Sequence, residues 1–459
     1  MSEAVAVPEQ KTTFVEDLKA LGECPRELWI IYLATFLEYF GVFSFLPTLP
    51  IWLSDDFGMS DQRAGWWAAT FSTIVTLLIF VVGSVADTFG VRRTLIASFM
   101  LAAVARLAMS FAGTGNQAIA SLLFFGLAYA SVSPVLQTAV QRASTKRTRA
   151  FAFSFWYVSF NVGGALAGLL TDFTQKRFID AVTKKSIAHV VDLPILGAHK
   201  MTWAGAMLGV GFISATLGAL VTLTLRSDFE HRGAELRTEA KTKTSPLVML
   251  REVVADRAFW RFMLLLVLLC LVRMMFQHMH FTWPKYIKRE QGDAFPRGFV
   301  WSLNSWCILF LAPIGTAITR RLPPFNVLLF GAFLSALSPF VLCFGSTMGW
   351  QLGMIGLLTC GEALWSPRLY EYNVSIAPRG REATYVSLAA LPYFLAKFLV
   401  GPTSGYLLAA FCPAEGPRHA AIMWAIIGTT TIIGPIGIFM LRSVINRQDP
   451  AKAIEAPAT

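Results

Sequence analysis

Twelve long apolar stretches constrain this chain more than any other feature. They lie at about 29–53, 64–86, 94–113, 118–140, 150–173 and 202–225. After a polar gap they resume at about 258–283, 298–318, 325–345, 349–373, 384–411 and 419–441. Each is near or above the ~20 residues needed to cross ~30 Å of hydrocarbon at ~1.5 Å per residue. Hydrocarbon offers no hydrogen-bond partner to exposed backbone, so these spans are expected to be helices. Pro47, Pro50, Pro134, Pro313 and Pro392 fall within them and are expected to bend or loosen helices locally. The fold class that follows is an all-α integral membrane protein with twelve transmembrane helices.

Composition agrees. Of 459 residues, 55% are hydrophobic and 15% charged, whereas soluble chains carry about 25% charged residues. Too few charges remain to coat a water-facing surface, so much of the exterior must face lipid. The formal charge of +11 is parcelled into short segments between apolar runs. That pattern suits an anionic inner leaflet and calls for no nucleic-acid partner. The six cysteines include no C-x-x-C pair, which argues against a disulfide framework. The N-terminal stretch is polar and of mixed charge, unlike a cleaved signal peptide, so the first span is expected to be retained.

Orientation follows from the loops. Arg92 and Arg93, Arg142 to Arg149, Arg320 and Arg321, Arg379 and Arg381, and the tail fall on one side if twelve spans alternate. The positive-inside rule makes that side, with both termini, cytoplasmic. Two segments run against the rule: 175–200, and the short stretch holding Lys285, Lys288, Arg289 and Arg297. The expected organisation is an N-terminal segment at 1–28, a six-helix bundle at 29–225, a cytoplasmic linker at 226–257, a second bundle at 258–441 and a tail at 442–459. A weak repeat supports two pseudo-symmetric halves. Gly83-x-x-x-Asp87-x-x-Gly90-x-Arg92-Arg93 follows span 2, and Gly315 to Arg321 follows span 8.

Twelve spans, a central gap and that loop motif together resemble the major facilitator superfamily over essentially the whole chain. The resemblance implies a gating latch at Gly83, Asp87, Gly90, Arg92 and Arg93. Within the superfamily, GEALWSPRLYEYNVSIAPRG (361–380), FLEYFGVFSFL (36–46) and FWYVSFNVGG (155–164) resemble parts of the proton-coupled oligopeptide transporters. Glu38 is followed by Tyr39 and Phe40 where that family has a second acid and an arginine. Span 4 offers Tyr129, Ser133 and Gln137 where it usually has a lysine.

Ionisable residues deep in spans are costly in hydrocarbon, by at least ~2.5–3.5 kcal/mol, and so are expected to face a cavity or a partner. These are Glu38, Arg106, Arg273, Glu362 and Lys397. Arg273, Gln277 and His280 share one face of span 7. Expected substrate contacts are Glu362, Arg273, Gln277, Tyr157, Asn161, Lys397, Arg106 and Trp306. Several of these residues have a competing structural reading: Arg106 as a partner of Glu38 or Glu362, Glu362 as a partner of Lys397, and Asn161 as a helix–helix hydrogen bond. Proton coupling is expected at Glu38, Glu362 or both. Arg368 and Glu371 are expected as a gate pair or as interface contacts.

The expected function is secondary active transport by alternating access, as a proton-coupled symporter of a small zwitterionic solute such as a short peptide or amino-acid derivative. A carrier of organic anions and a non-transporting receptor are the alternatives. No catalytic set, metal cluster or cofactor motif is found, so no enzyme activity and no cofactor beyond the coupling proton are expected. A monomer suffices, since one chain holds both halves. The resemblance points to a bacterial inner membrane.

Overall fold

The structure is a computed structural model. It describes residues 24–144, 148–193, 197–226, 257–319, 321–376 and 391–445; side chains at 79–88, 149–151, 193, 197, 257, 258, 370–376 and 391–394 lie outside that description. The first six long helices are α1 (Arg26–Phe45), α2 (Asp61–Phe89), α3 (Val91–Ser110), α4 (Gly115–Ala143), α5 (Arg149–Arg177) and α6 (Trp203–Leu223). The second six are α7 (Arg257–Phe281), α8 (Arg297–Thr319), α9 (Pro324–Val341), α10 (Met348–Ile376), α11 (Leu391–Phe411) and α12 (Ala420–Met440). These are the twelve spans read from the sequence. Among the described residues, nine of the spans are long and apolar enough to cross a membrane by length and composition, α1 being counted through Asp56. Large apolar side chains such as Phe310, Phe330 and Met440 are exposed on the flanks, as lipid contact requires.

Local chemistry sets the ends. Thr114 and Gln117 form a reciprocal capping box at the start of α4, and Thr202 accepts from the Gly205 amide at the start of α6. The first span is not one straight helix as its hydropathy suggests. It breaks after Phe45, and Pro47 and Pro50 sit in and just beyond the break. The chain then continues through Leu49–Ile51 and a wider turn at Trp52–Asp56. The α1 helix also begins within the segment taken as 1–28. The polar segment after α5 forms a two-stranded antiparallel hairpin, β1 (His189–Leu193) and β2 (Gly197–Met201), where only a loop was expected.

The start of α1 and the end of α12 lie at one face of the bundle, here the terminal face; the opposite one is the distal face. Exposed tryptophans mark both levels. Trp29 and Trp260 open α1 and α7 at the terminal face, while Trp66 and Trp350 lie near the distal starts of α2 and α10. Such amphipathic rings favour the headgroup level.

The largest buried core is drawn from α1–α6 but takes in Cys270, Met274 and Phe281 of α7 and Ala396 and Val400 of α11, while two smaller cores lie within α7–α12. On the distal side the halves meet through small-residue contacts at two helix pairs. At α2–α11, a side-chain carbon on Gly65 would collide with the Gly401 carbonyl oxygen. At α5–α8, one on Gly298 would collide with the Gly168 carbonyl oxygen. Exchange of the two six-helix halves turns one pair into the other, which is the signature of two-fold pseudo-symmetry. Backbones approach this closely only where side chains are absent.

Around these contacts the halves are bolted by charge. Lys285 and Arg289 both donate to Asp61 Oδ1 at 2.8 Å. Lys288 pairs with Asp55, and Arg289 also donates to the Cys412 carbonyl at 2.6 Å. The Asp172 carboxylate of α5 accepts from the Gly298 and Phe299 amides, 2.7 Å each, and so caps the start of α8 from the other half. Burial pushes the Lys285 ammonium below its ordinary range, and Asp61 offsets part of that shift. Lys285, Lys288 and Arg289, which seemed to break the loop-charge rule, are therefore matched by carboxylates of the first half.

Candidate functional site

Five charged side chains lie deep in the helices, and the structure sorts them into two groups. Glu38 of α1 and Arg106 of α3 form a sealed pair, 3.1 Å apart and 0% and 1% exposed. Arg106 also donates to the Gly211 carbonyl of α6 at 3.2 Å and stacks 4.9 Å from the Phe125 ring centre. A side chain at Gly41 would come within 2.9 Å of Arg106 Nη1, so the bare backbone there makes room for the guanidinium. Arg106, expected on the substrate, is thus committed to three elements of the first half: α1, α4 and α6.

A prediction follows for stability. Arg106→Leu strands a buried carboxylate and is expected to cost ~3–5 kcal/mol, whereas Glu38→Gln combined with Arg106→Gln recovers most of it. Thermal unfolding of the purified protein measures this; an unchanged midpoint for Arg106→Leu would contradict the clamp.

The second group belongs to the second half. Arg273 lies on α7 with Gln277 and His280 following on one face. Its guanidinium sits 4.8 Å from the Trp365 ring centre of α10 and lies within electrostatic range of both Glu362 and Lys397. Glu362 Oε2 accepts from Asn304 Nδ2 of α8 at 2.9 Å, and the same amide reaches Thr359 Oγ1 at 3.0 Å. Lys397 of α11 has no hydrogen bond or ion pair to any described residue. It couples to His280 as well as to Arg273. Arg273, Glu362 and Lys397 are each only partly buried, in contrast to the sealed Glu38–Arg106 pair. A charge deep in a span is costly against lipid and calls for a partner or a polar space, which makes Arg273, Glu362 and Lys397 the candidate site.

Asn304 carries the orientation of Glu362, yet sequence reading did not single it out. It is uncharged and lies between two tryptophans that drew attention instead. Trp306 is half-buried and has no ring or hydrogen-bond contact among the described residues. Trp301 is the bridging ring. It packs 5.1 Å from Phe43 of the first half and 5.7 Å from the His280 ring.

The remaining expected residues are placed as follows. Asn161 is 3% exposed and donates to the Tyr157 carbonyl one turn back in its own helix, not across to another helix as its alternative reading expected; the Tyr157 ring stacks on Phe160. Gln277 is half-buried. In the expected latch, Gly90 has φ +84°, the backbone state that favours glycine, and precedes α3. Arg92 donates to the Leu223 carbonyl at 3.0 Å and so caps the end of α6, while Arg93 is exposed. Gly83 and Asp87 lie in α2 where side chains are outside the description, as does the Glu371 side chain. Arg368 is buried and donates to Thr319 Oγ1 of α8 at 3.2 Å. Among the described residues no cluster of His, Cys, Asp or Glu is placed to hold a metal ion.

Two six-helix halves meet closely at the distal face, and a group of charged side chains lies deep in the second half. Residues 31–401 match the family model of the Major Facilitator Superfamily, and the chain belongs to that superfamily. It is a multi-pass membrane protein and a secondary transporter, not an enzyme. It is similar to the multidrug resistance protein MdtH of Aeromonas salmonicida (strain A449), with 21% identity over 95% of this chain and 98% of that protein. Over a shorter stretch it is similar to the dipeptide and tripeptide permease A of Cronobacter turicensis, with 22% identity over 34% of this chain and 32% of that one. Among solved structures, a POT family transporter in complex with 5-aminolevulinic acid superposes with a TM-score of 0.70 at 14% identity, covering 92% of this chain and 97% of that one. The nucleoside transporter NupG superposes with a TM-score of 0.69 at 13% identity, covering 92% and 100%.

Proposed function

We propose that this carrier moves a small zwitterionic solute, a short peptide or an amino-acid derivative, together with a proton. The observation that carries the reading is the Glu362–Asn304 pair in one cluster with Arg273 and Lys397. An ammonium suits Glu362, and a carboxylate suits Arg273, whose planar fork can hold both oxygens, with Lys397 beside it. The peptide-transporting relatives by name, and the neighbour bound to 5-aminolevulinic acid, agree with a solute bearing both groups.

The coupling proton is assigned to Glu362. Neutralising it removes charge from the site and eases reorientation of the loaded carrier. Glu38, the other expected proton site, is held by Arg106, and its proposed role is that of a clamp. With both termini taken as cytoplasmic, the distal face is external and the conformation described is closed to the outside. A bacterial inner membrane is the proposed location, and one chain is the proposed working unit.

A second reading has its own support. Two cations against one carboxylate in the cluster favour an organic anion. Binding of dialanine, N-acetyl-dialanine and glutarate to the purified protein separates the two. The zwitterion reading expects dialanine to bind and acetylation to weaken it at least tenfold. Tight binding of glutarate with indifference to the amino group would replace it with the anion reading.

A further inference from the structure

His280 is a half-buried group that stands outside the proposed transport cycle. Its Nδ1 lies 2.7 Å from the Phe276 carbonyl oxygen. A carbonyl only accepts, so Nδ1 carries the hydrogen. The Nε2 atom is enclosed and has no hydrogen-bond partner. Lys397 of α11 lies within electrostatic range of the ring, and Arg273 lies two turns back on the same helix. In the neutral ring with Nδ1 protonated, Nε2 is an acceptor. An enclosed acceptor without a donor is costly, and this makes Nε2 a candidate to receive one.

Its surroundings say when that donor arrives. The Trp301 ring covers His280 at 5.7 Å and packs on Phe43 of the opposite half at 5.1 Å. Trp301 thus touches both halves, and the rocking that parts α1 from α8 on the distal side removes Phe43 from it. His280 is then the acceptor next to the charged cluster on the side from which the distal face opens.

We propose that His280 Nε2 accepts an N–H group of the solute, the amide of a peptide-like ligand, while Glu362 takes the ammonium. This rests on the zwitterion reading and adds to it a selection for an amide over an ester at the same place. Sites that receive a donor reject the isostere that lacks it, because their own polar atom is then left unpaired.

The test replaces one atom of the ligand and one residue of the protein. Binding of dialanine and of its ester analogue, alanyl-lactate, in which O replaces the amide N–H, is measured with wild type, His280→Phe and His280→Asn. Wild type is expected to bind the amide about tenfold more tightly than the ester. In His280→Phe the amide should fall to the level of the ester while the ester stays unchanged, and His280→Asn, which retains an acceptor, should restore part of the preference. Thermal unfolding checks that each variant is folded. If wild type binds dialanine and the preference survives in a folded His280→Phe, His280 is not the acceptor and the zwitterion reading stands. The same conclusion follows if wild type shows no preference. If wild type binds neither ligand, the zwitterion reading fails and this proposal with it.

Discussion

Gly298→Val is expected to leave the carrier unable to close its distal face. Any side-chain carbon at Gly298 collides with the Gly168 carbonyl oxygen and comes within 2.9 Å of the Asp172 carboxylate that caps α8. Overpacking in a core typically costs ~1–3 kcal/mol. This contact joins two halves, so the strain can be relieved by parting them without unfolding either. The same energy then shifts the open-to-closed ratio by roughly 5- to 150-fold, and transport falls because closure is a required step. Cys412 supplies the readout. It is 0% exposed in a core of the second half, and Arg289, which donates to its carbonyl, also holds Asp61 of the first half. A membrane-impermeant maleimide applied to that side should label it much faster in Gly298→Val than in wild type, with Cys412→Ser as the control. Equal labelling of the two, with transport intact, would show that the α5–α8 contact is no part of the gate.

Glu362→Gln is expected to uncouple the carrier. The amide keeps the size of the side chain and an oxygen for Asn304, but holds no negative charge at any pH. A proton gradient, acid on the distal side, should drive dialanine accumulation in wild-type proteoliposomes and none in the variant, while exchange of internal for external solute persists at reduced affinity. Glu38→Gln provides the contrast. That change removes a clamp and leaves the central cluster intact, so its main expected effect is on unfolding temperature. Loss of accumulation in a stable Glu38→Gln, with Glu362→Gln unaffected, would move the coupling proton to the first half.

How far the sequence could be read depended on the range of the interaction. The twelve spans were legible because hydrocarbon forces each segment to satisfy its own backbone, a requirement written locally in every stretch. Arg273, Glu362 and Lys397 stood out for a related reason, since a charge in an apolar helix has few places to go. Their convergence was an inference; the hold of Asn304 on Glu362 was not visible, because an uncharged amide between tryptophans carries no such alarm.

Partnership was the harder matter. Glu38 and Arg106 are 68 residues apart, and nothing local says that Gly41 and Gly211 clear space for that guanidinium. The cations at 285–289 looked misplaced because their partners Asp55 and Asp61 lie more than 220 residues upstream. Loop charge reports topology well only when it is not spent on a contact between halves. The same distance hid the bond from Asp172 to the start of α8.

The central claim is that the two halves rock about the Arg273–Glu362–Lys397 site, opening one face as the other closes. Spin-label distances test it directly, with one pair at Ser60 and Glu415 on the distal face and another at Phe89 and Leu322 on the terminal face, all four exposed. On adding dialanine at acid pH, the distal pair should gain a longer distance while the terminal pair gains a shorter one, in matching proportions. Distances that stay fixed, or that lengthen together at both faces, would contradict it.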